Sequence, residues 1–426
     1  MQSTEHAIAA PEPARHLLGD ADLRSVLSLL DCDGEEARLV GGALRNALLD
    51  APVHEFDVAT TASPEIVMAR ARAANIRSIP TGIDHGTVTL LIGNRTFEVT
   101  SLRQDVETDG RHAKVRFSRD FRSDALRRDF TVNALSMTRD GKLYDYTGAL
   151  EDIAARRLRF IGNPQQRIRE DYLRILRFFR FAAEYSQGPL DEAGLLACMR
   201  ERHGLARLSR ERVRGEILKL LGARRAGEIT EEICNAGLLG PLLASAPNPA
   251  RLKNLLAYDS CAKADPILSL AALCLNVAED AGNLRDRLRL SNAEERRLAV
   301  AAEAFVMLHG LQEPPPEQML RHMLFRCGRE AASDALMLAR AESARETVPA
   351  WSEARLFLMT AAEPRLPFSG EDLLARGVPR GRAIGVALKN LQAHWIAAGF
   401  PEDPRQLNEL LEAATRGGGG NAAKTD

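Results

Sequence analysis

Every strand-forming run in this chain falls before about residue 150, and beyond it the apolar residues follow a helical period. A sheet must therefore be assembled from the early residues, and the rest must pack as helices. Thr87 to Ile92 and Thr96 to Leu102 are β-branched runs joined by Gly93-Asn94, which predicts a hairpin. Glu55 to Ala59 reads as a strand. Ser63 followed by Pro64 predicts an N-capped helix running to Ala74. Ala43 to Leu49 reads as a helix opening on Gly41-Gly42. Ahead of this mixed α/β stretch, residues 1–35 read as a polar lead ending in a helix from Asp22 to Leu30. With 426 residues the chain exceeds one ordinary core, so roughly two to four domains are expected.

The composition narrows the class. Aromatic residues are sparse and Leu, Ala, Arg and Glu are plentiful, as in a mostly helical soluble protein. No apolar run reaches membrane-spanning length and no signal peptide opens the chain, so a cytoplasmic protein is expected. Cys32, Cys198, Cys234, Cys261, Cys274 and Cys327 are widely spaced without a CxxC pair, which predicts reduced, mostly buried thiols. The net charge of -1 argues against a nucleic-acid binder, but Arg202 to Arg225 holds eight basic residues against two acidic ones. That run is either a solvated helix face or part of a phosphate-contacting track. The tail RGGGGNAAKTD is of low complexity and reads as disordered.

Three short stretches carry chemistry. In the first, Gly41-Gly42 lets the backbone approach a ligand closely at a helix start, with Arg45 one turn in as a phosphate partner. Downstream, Glu55 and Asp57 stand two apart in an extended strand and share one face, while Phe56 and Val58 face the core. Two adjacent carboxylates with open positions suit Mg²⁺, which takes one or two protein carboxylates and completes its shell from substrate phosphates. The plain alternative is an exposed strand edge with solvated acids.

The second stretch is RRDFTVNAL, Arg127 to Leu135. The third is REDYLRILRFFRFAA, where Asp171, Arg174, Arg177 and Arg180 recur every third residue among apolar positions. A helix so apolar is largely buried, so its guanidiniums need an anion or a planar polar partner. Either they read a ligand or they form a buried network with acids from other helices.

Taken together, GGALRN, EFD, RRDFTVNAL, EDYLRILRFFRF and LSRERVRGEILKLL resemble, in order and spacing, the class II tRNA nucleotidyltransferases. That family comprises the CCA-adding enzymes and the bacterial poly(A) polymerases, and the resemblance covers about residues 38–222. It implies an α+β fold: a DNA polymerase β-like nucleotidyltransferase head over 36–150, a helical neck over 151–222, and a helical body and tail over 223–415. It further implies that Gly42 and Arg45 contact the triphosphate and that Glu55 and Asp57 are the catalytic, metal-binding carboxylates. Arg128 would touch the incoming nucleotide, Asp171 and Arg174 would read its base, and Arg177 and Arg180 would bind it further. The partners implied are the tRNA 3′ end, CTP and ATP, with Mg²⁺ as cofactor. Asp105 to Ala113 resembles the family's flexible element. Two positions depart from the family pattern: Glu55 and Asn46 stand where Asp is usual. Glu98 is a candidate third carboxylate. A poly(A) polymerase, an enzyme adding part of CCA, a catalytically silent RNA-binding module and an aminoglycoside-type nucleotidyltransferase are the competing expectations.

Overall fold

The computed structural model describes residues 7–82, 86–109, 112–258, 265–343 and 348–416. In chain order its strands are β1 (Ala7–Ala9), β2 (Ala37–Val40), β3 (Phe56–Thr60), β4 (Arg77–Gly82), β5 (Thr87–Ile92), β6 (Arg95–Ser101), β7 (Arg103–Asp109), β8 (His112–Phe117), β9 (Ser136–Thr138) and β10 (Lys142–Tyr144). Eight of them form one sheet, in the order β1-β10-β9-β2-β3-β6-β5-β4, and β7 and β8 form a separate ribbon. The first ten helices are α1 (Glu12–His16), α2 (Ala21–Leu30), α3 (Gly42–Leu48), α4 (Pro64–Ala73), α5 (Phe121–Leu126), α6 (Ala149–Ala154), α7 (Pro164–Glu170), α8 (Leu173–Tyr185), α9 (Glu192–Arg200) and α10 (Arg210–Leu221). The chain divides into two compact units, residues 1–225 and 226–426.

The sheet follows from alternation. Leu39 and Val58 are register partners, Val58 pairs with Val99, and Val99 with Val88, all of them buried. A row of β-branched and leucine side chains thus crosses four strands on one face. The hairpin β5–β6 closes through Gly93, whose φ of 58° fits the first position of a two-residue turn. Helix α4 starts where Ser63 accepts from the Ile66 amide at 3.5 Å. Residues 7–30 do not precede the head, as the sequence suggested, but are built into it. Ala7–Ala9 adds an edge strand beside β10, and Leu23, Val26, Leu27 and Leu30 of α2 are buried. The reason is amphipathy: α2 carries an apolar stripe that the open sheet face covers.

The segment Asp105 to Ala113 falls at the tip of the β7–β8 ribbon, with residues 110 and 111 outside the described set. Helix α8 joins the same unit through an aromatic cluster. Phe130 packs on Phe160 at 4.8 Å and on Phe181 at 5.5 Å, and Phe160 stacks on Phe178 at 5.3 Å. These rings fix α8 against the RRDFTVNAL segment.

The second unit is helical throughout its described residues, from Ala226–Asn235 to Pro404–Arg416. Its fully buried Arg251 is satisfied by Glu342 at 2.8 Å and the Ala272 carbonyl at 2.6 Å. The helix Glu317–Glu342 bends at Gly328, whose φ of 76° and ψ of 171° interrupt it. Cys198 and Cys274 are buried, Cys234 and Cys327 half-buried and Cys32 exposed, all as free thiols; Cys261 and the low-complexity tail lie outside the described residues. No helix among the described residues is long and apolar enough to cross a membrane.

Candidate active site

Strand β3 delivers Asp57 between two neighbours: Val40 of β2 on one side and Glu98 of the parallel strand β6 on the other. Phe56 and Val58 are buried on the opposite face, as alternation requires. Glu55 lies one residue before the strand and is exposed. Burial first, and then the charges of Glu98 and Glu55, push the Asp57 carboxyl up to about 6, against the opposing pull of Arg128 and Arg45. A buried carboxylate with two further acids, Glu98 and Glu55, acting on it is an arrangement that fits a cation. Among the described residues no three or more His, Cys, Asp or Glu side chains are arranged to hold a metal unaided. Two hard carboxylates with the rest of the shell left to phosphates is the arrangement Mg²⁺ accepts.

The constrained glycine is Gly41, rather than the Gly42 named from the sequence. Gly41 has a φ of 72°, and a Cβ there would lie 3.1 Å from Arg128 Nη1 and 3.6 Å from Asp57 Oδ2. Its missing side chain keeps open the gap between carboxylate and guanidinium. A Cβ on Gly42 would meet only Arg45 Nη2, at 3.5 Å.

Arg45 lines the same space but is almost wholly buried. Asn46 Oδ1 accepts from its Nε at 3.1 Å and its Nη2 at 2.8 Å, Tyr185 accepts at 2.8 Å, and Asn133 accepts from Nη1. Its ring partner is also Tyr185, 3.9 Å from the guanidinium carbon. Four hydrogen bonds to protein leave Arg45 little to offer a phosphate directly and fix its charge in the wall of that space. Asn46, the departure with no evident purpose in sequence, is the acceptor that fixes it.

The four-residue polar stripe is not on one helix. Asp171 sits in a break between α7 and α8 with φ −154° and ψ 108°, so only the arginines belong to α8. The expectation of a continuous seam is corrected here, because the extended residue ends α7 before α8 begins. Tyr172, next in the break, is pressed onto Gly204, where a Cβ would fall 1.8 Å from its ring. The arginines are paired with acids. Arg174 donates to Glu170 at 2.6 Å and to the Arg167 carbonyl at 2.9 Å. Arg177 donates to Asp129 at 2.7 Å, and Arg180 to Glu216 at 2.5 Å and Glu184 at 2.9 Å. Asp171 itself accepts from Arg212 of α10 at 2.7 Å. Arg128 is held by Asp124 at 3.1 Å.

A partly buried ion-pair network and a cleft are thus present together. One cleft of about 720 Å³ is lined by Gly42, Arg45, Glu55, Asp57 and Arg128, and equally by Asp171, Arg174, Arg177 and Arg180. All nine residues named from sequence meet there. Gly41, the other half of the glycine pair, lines it too, and so do Asn133, Tyr185, Arg212 and Lys219, which the sequence did not single out as site residues. Asn133 falls within RRDFTVNAL and Arg212 and Lys219 within the basic run, whereas no motif reached Tyr185.

Residues 37–159 match the Poly A polymerase head domain. The Danio rerio protein named "CCA tRNA nucleotidyltransferase 1, mitochondrial" is 35% identical over 384 residues, covering 88% of this chain and 87% of that one. This chain belongs to the CCA tRNA nucleotidyltransferase family. The CCA-adding enzyme of Levilactobacillus brevis, another of the family, is 28% identical over 391 residues, 90% of this chain and 95% of its own. The solved Bacillus stearothermophilus CCA-adding enzyme, crystallised with CTP, superposes with a TM-score of 0.69 at 28% identity, covering 95% of this chain and 98% of that one. Members of the CCA tRNA nucleotidyltransferase family carry out a divalent-metal-dependent nucleotidyl transfer.

Proposed function

We infer that this protein adds C, C and A to the 3′ end of tRNA, taking CTP and ATP as substrates and working without a nucleic-acid template. The observation that carries the reading is one cleft lined both by Glu55 and Asp57 and by Asp171 and Arg174. A metal pair alone would serve any nucleotidyltransferase, and a base-reading pair alone would serve a binding module. Their convergence is what non-templated, base-selective transfer needs.

Mg²⁺, held by Glu55 and Asp57, would supply charge stabilisation for the triphosphate and acidify the primer hydroxyl. The remaining work belongs to side chains. The primer 3′-oxygen attacks the α-phosphorus, the bond to the bridging oxygen breaks, and pyrophosphate leaves. Gly41 keeps the approach to Asp57 clear, Arg128 offers positive charge beside it, and buried Arg45 adds its field. At the other end Asp171 accepts from the exocyclic amine of cytosine or adenine while Arg174 donates to the adjacent ring nitrogen. Uracil and guanine reverse both contacts, and unpaired polar groups in such a site cost factors of about 10⁴. Arg177 and Arg180 line the same cleft. Residues 151–222 act as the neck and 223–415 as the body and tail that hold tRNA by shape and phosphate contacts. A cytoplasmic place of work is part of the same inference.

Purified protein with Mg²⁺, each labelled nucleotide and tRNA lacking one, two or three terminal residues tests the reading. Addition that stops after CCA supports it; long A tails indicate a poly(A) polymerase, and no incorporation indicates a silent RNA-binding module.

A further inference from the structure

Asp171 is the one member of the polar stripe whose stance no helix sets. It is extended, one-third exposed, and flanked by the ends of α7 and α8. Two contacts hold its carboxylate. Oδ1 accepts from the Leu173 amide at 3.1 Å, and Oδ2 accepts from Arg212 Nη2 at 2.7 Å. The first contact is local and leaves the carboxylate free to swing about Oδ1. The second comes from a different helix, forty-one positions along the chain, and removes that freedom.

Helix α10 is itself anchored independently of Asp171. Its N-cap Ser209 accepts from the Arg212 amide, its Val213, Ile217 and Leu220 are buried, and Glu216 binds Arg180 one turn beyond Arg212. Arg212, Glu216 and Lys219 share one face of α10 at helical spacing, and Arg212 and Lys219 line the cleft. The guanidinium of Arg212 is therefore presented from a fixed wall to an acid that stands outside either helix.

Resting on the reading of Asp171 as the base-reading acceptor, we propose that Arg212 is a positioning residue for base selection. It fixes which Asp171 oxygen and which lone pair face the nucleotide's hydrogen-bonding edge. Arg212 holds an anion that would otherwise rotate, and selectivity depends on that orientation. Its place in the basic run would instead suggest a tRNA phosphate contact, and the two roles give different signatures.

The test uses the full chain with Mg²⁺ and trimmed tRNA, comparing kcat/KM for the four nucleotides in wild type, Arg212→Gln and Arg212→Lys, each also with Asp171→Ala. Arg212→Gln is expected to lower the C-over-U and A-over-G ratios roughly ten- to a hundredfold, the worth of one hydrogen bond to a charged group. Arg212→Lys should recover part of that loss, since it restores charge without the planar fork. Where Asp171 is already Ala, changing Arg212 should leave the ratios as they are. Wild-type ratios in Arg212→Gln with only a raised KM for tRNA would overturn the inference and leave the CCA-adding reading standing. A wild-type chain that fails to discriminate at all would remove both.

Discussion

Arg177 donates to Asp129 at 2.7 Å, so the carboxylate of the RRDFTVNAL segment grips the middle of the arginine stripe. Asp129 also accepts from Asn133 at 3.1 Å, and Asn133 accepts from Arg45. One hydrogen-bonded chain therefore runs from the glycine-pair helix α3 to α8. Burial would raise the Asp129 carboxyl, but Arg177 and Asn133 outweigh it and hold it below the ordinary range. Asp129→Ala should cost about 2–3 kcal/mol in urea unfolding, because it strands a part-buried guanidinium and frees Asn133. Asp129→Asn should cost less.

The two glycines should separate cleanly. Gly41→Ala puts a methyl group at positive φ and 3.1 Å from Arg128 Nη1, so it should cost about 1–2 kcal/mol and depress kcat strongly. Gly42→Ala meets only ordinary contact and should keep most activity. Thermal melts and single-turnover incorporation distinguish them.

Asp171→Ala should retain cation binding and lose discrimination among the four nucleotides. Equal selectivity in mutant and wild type, measured by competing CTP against UTP, would refute the base-reading role.

Asp57 gives a pH dependence with a definite sign. Below its ordinary value of 3.8 the group is protonated folded and unfolded; between 3.8 and about 6 only the folded state keeps the proton. Its contribution to stability of the metal-free protein therefore falls as pH rises through that window and is constant above it. Protons and Mg²⁺ compete for the same oxygen, so metal affinity should weaken about tenfold per pH unit below 6. Calorimetric titration at pH 5 and pH 7 measures this, and Asp57→Asn should abolish the difference.

Asn46→Asp places an anion against Arg45, whose proton affinity burial lowers. It should stabilise the fold by about 1 kcal/mol and change nucleotide KM only a few-fold. Asn46→Ala, which removes the acceptor, should lower both stability and activity.

The sequence was most legible where local chemistry decides the outcome. Strand alternation around Asp57, the Gly93-Asn94 turn and the Ser63 cap are all local, and each stands where its residues predicted. The short strands β1, β9 and β10 have three residues each and no period to detect. The stripe was read across a break because a three-residue spacing continues through Asp171 although the backbone does not. Asn133, Tyr185 and Arg212 gain their roles from partners 88, 140 and 41 positions away, which no window on the sequence contains.

Gly204 is not among the residues lining the cleft, yet it supports the corner that carries Asp171, the residue proposed to read the base. Because nothing projects from its Cα, the Tyr172 ring can lie flush against the 3₁₀ turn Arg202–Arg207 and pin the bend that aims Asp171 inward. Enlarging that distant spot by one methyl would evict the ring and blur fidelity from behind, with every catalytic group still intact.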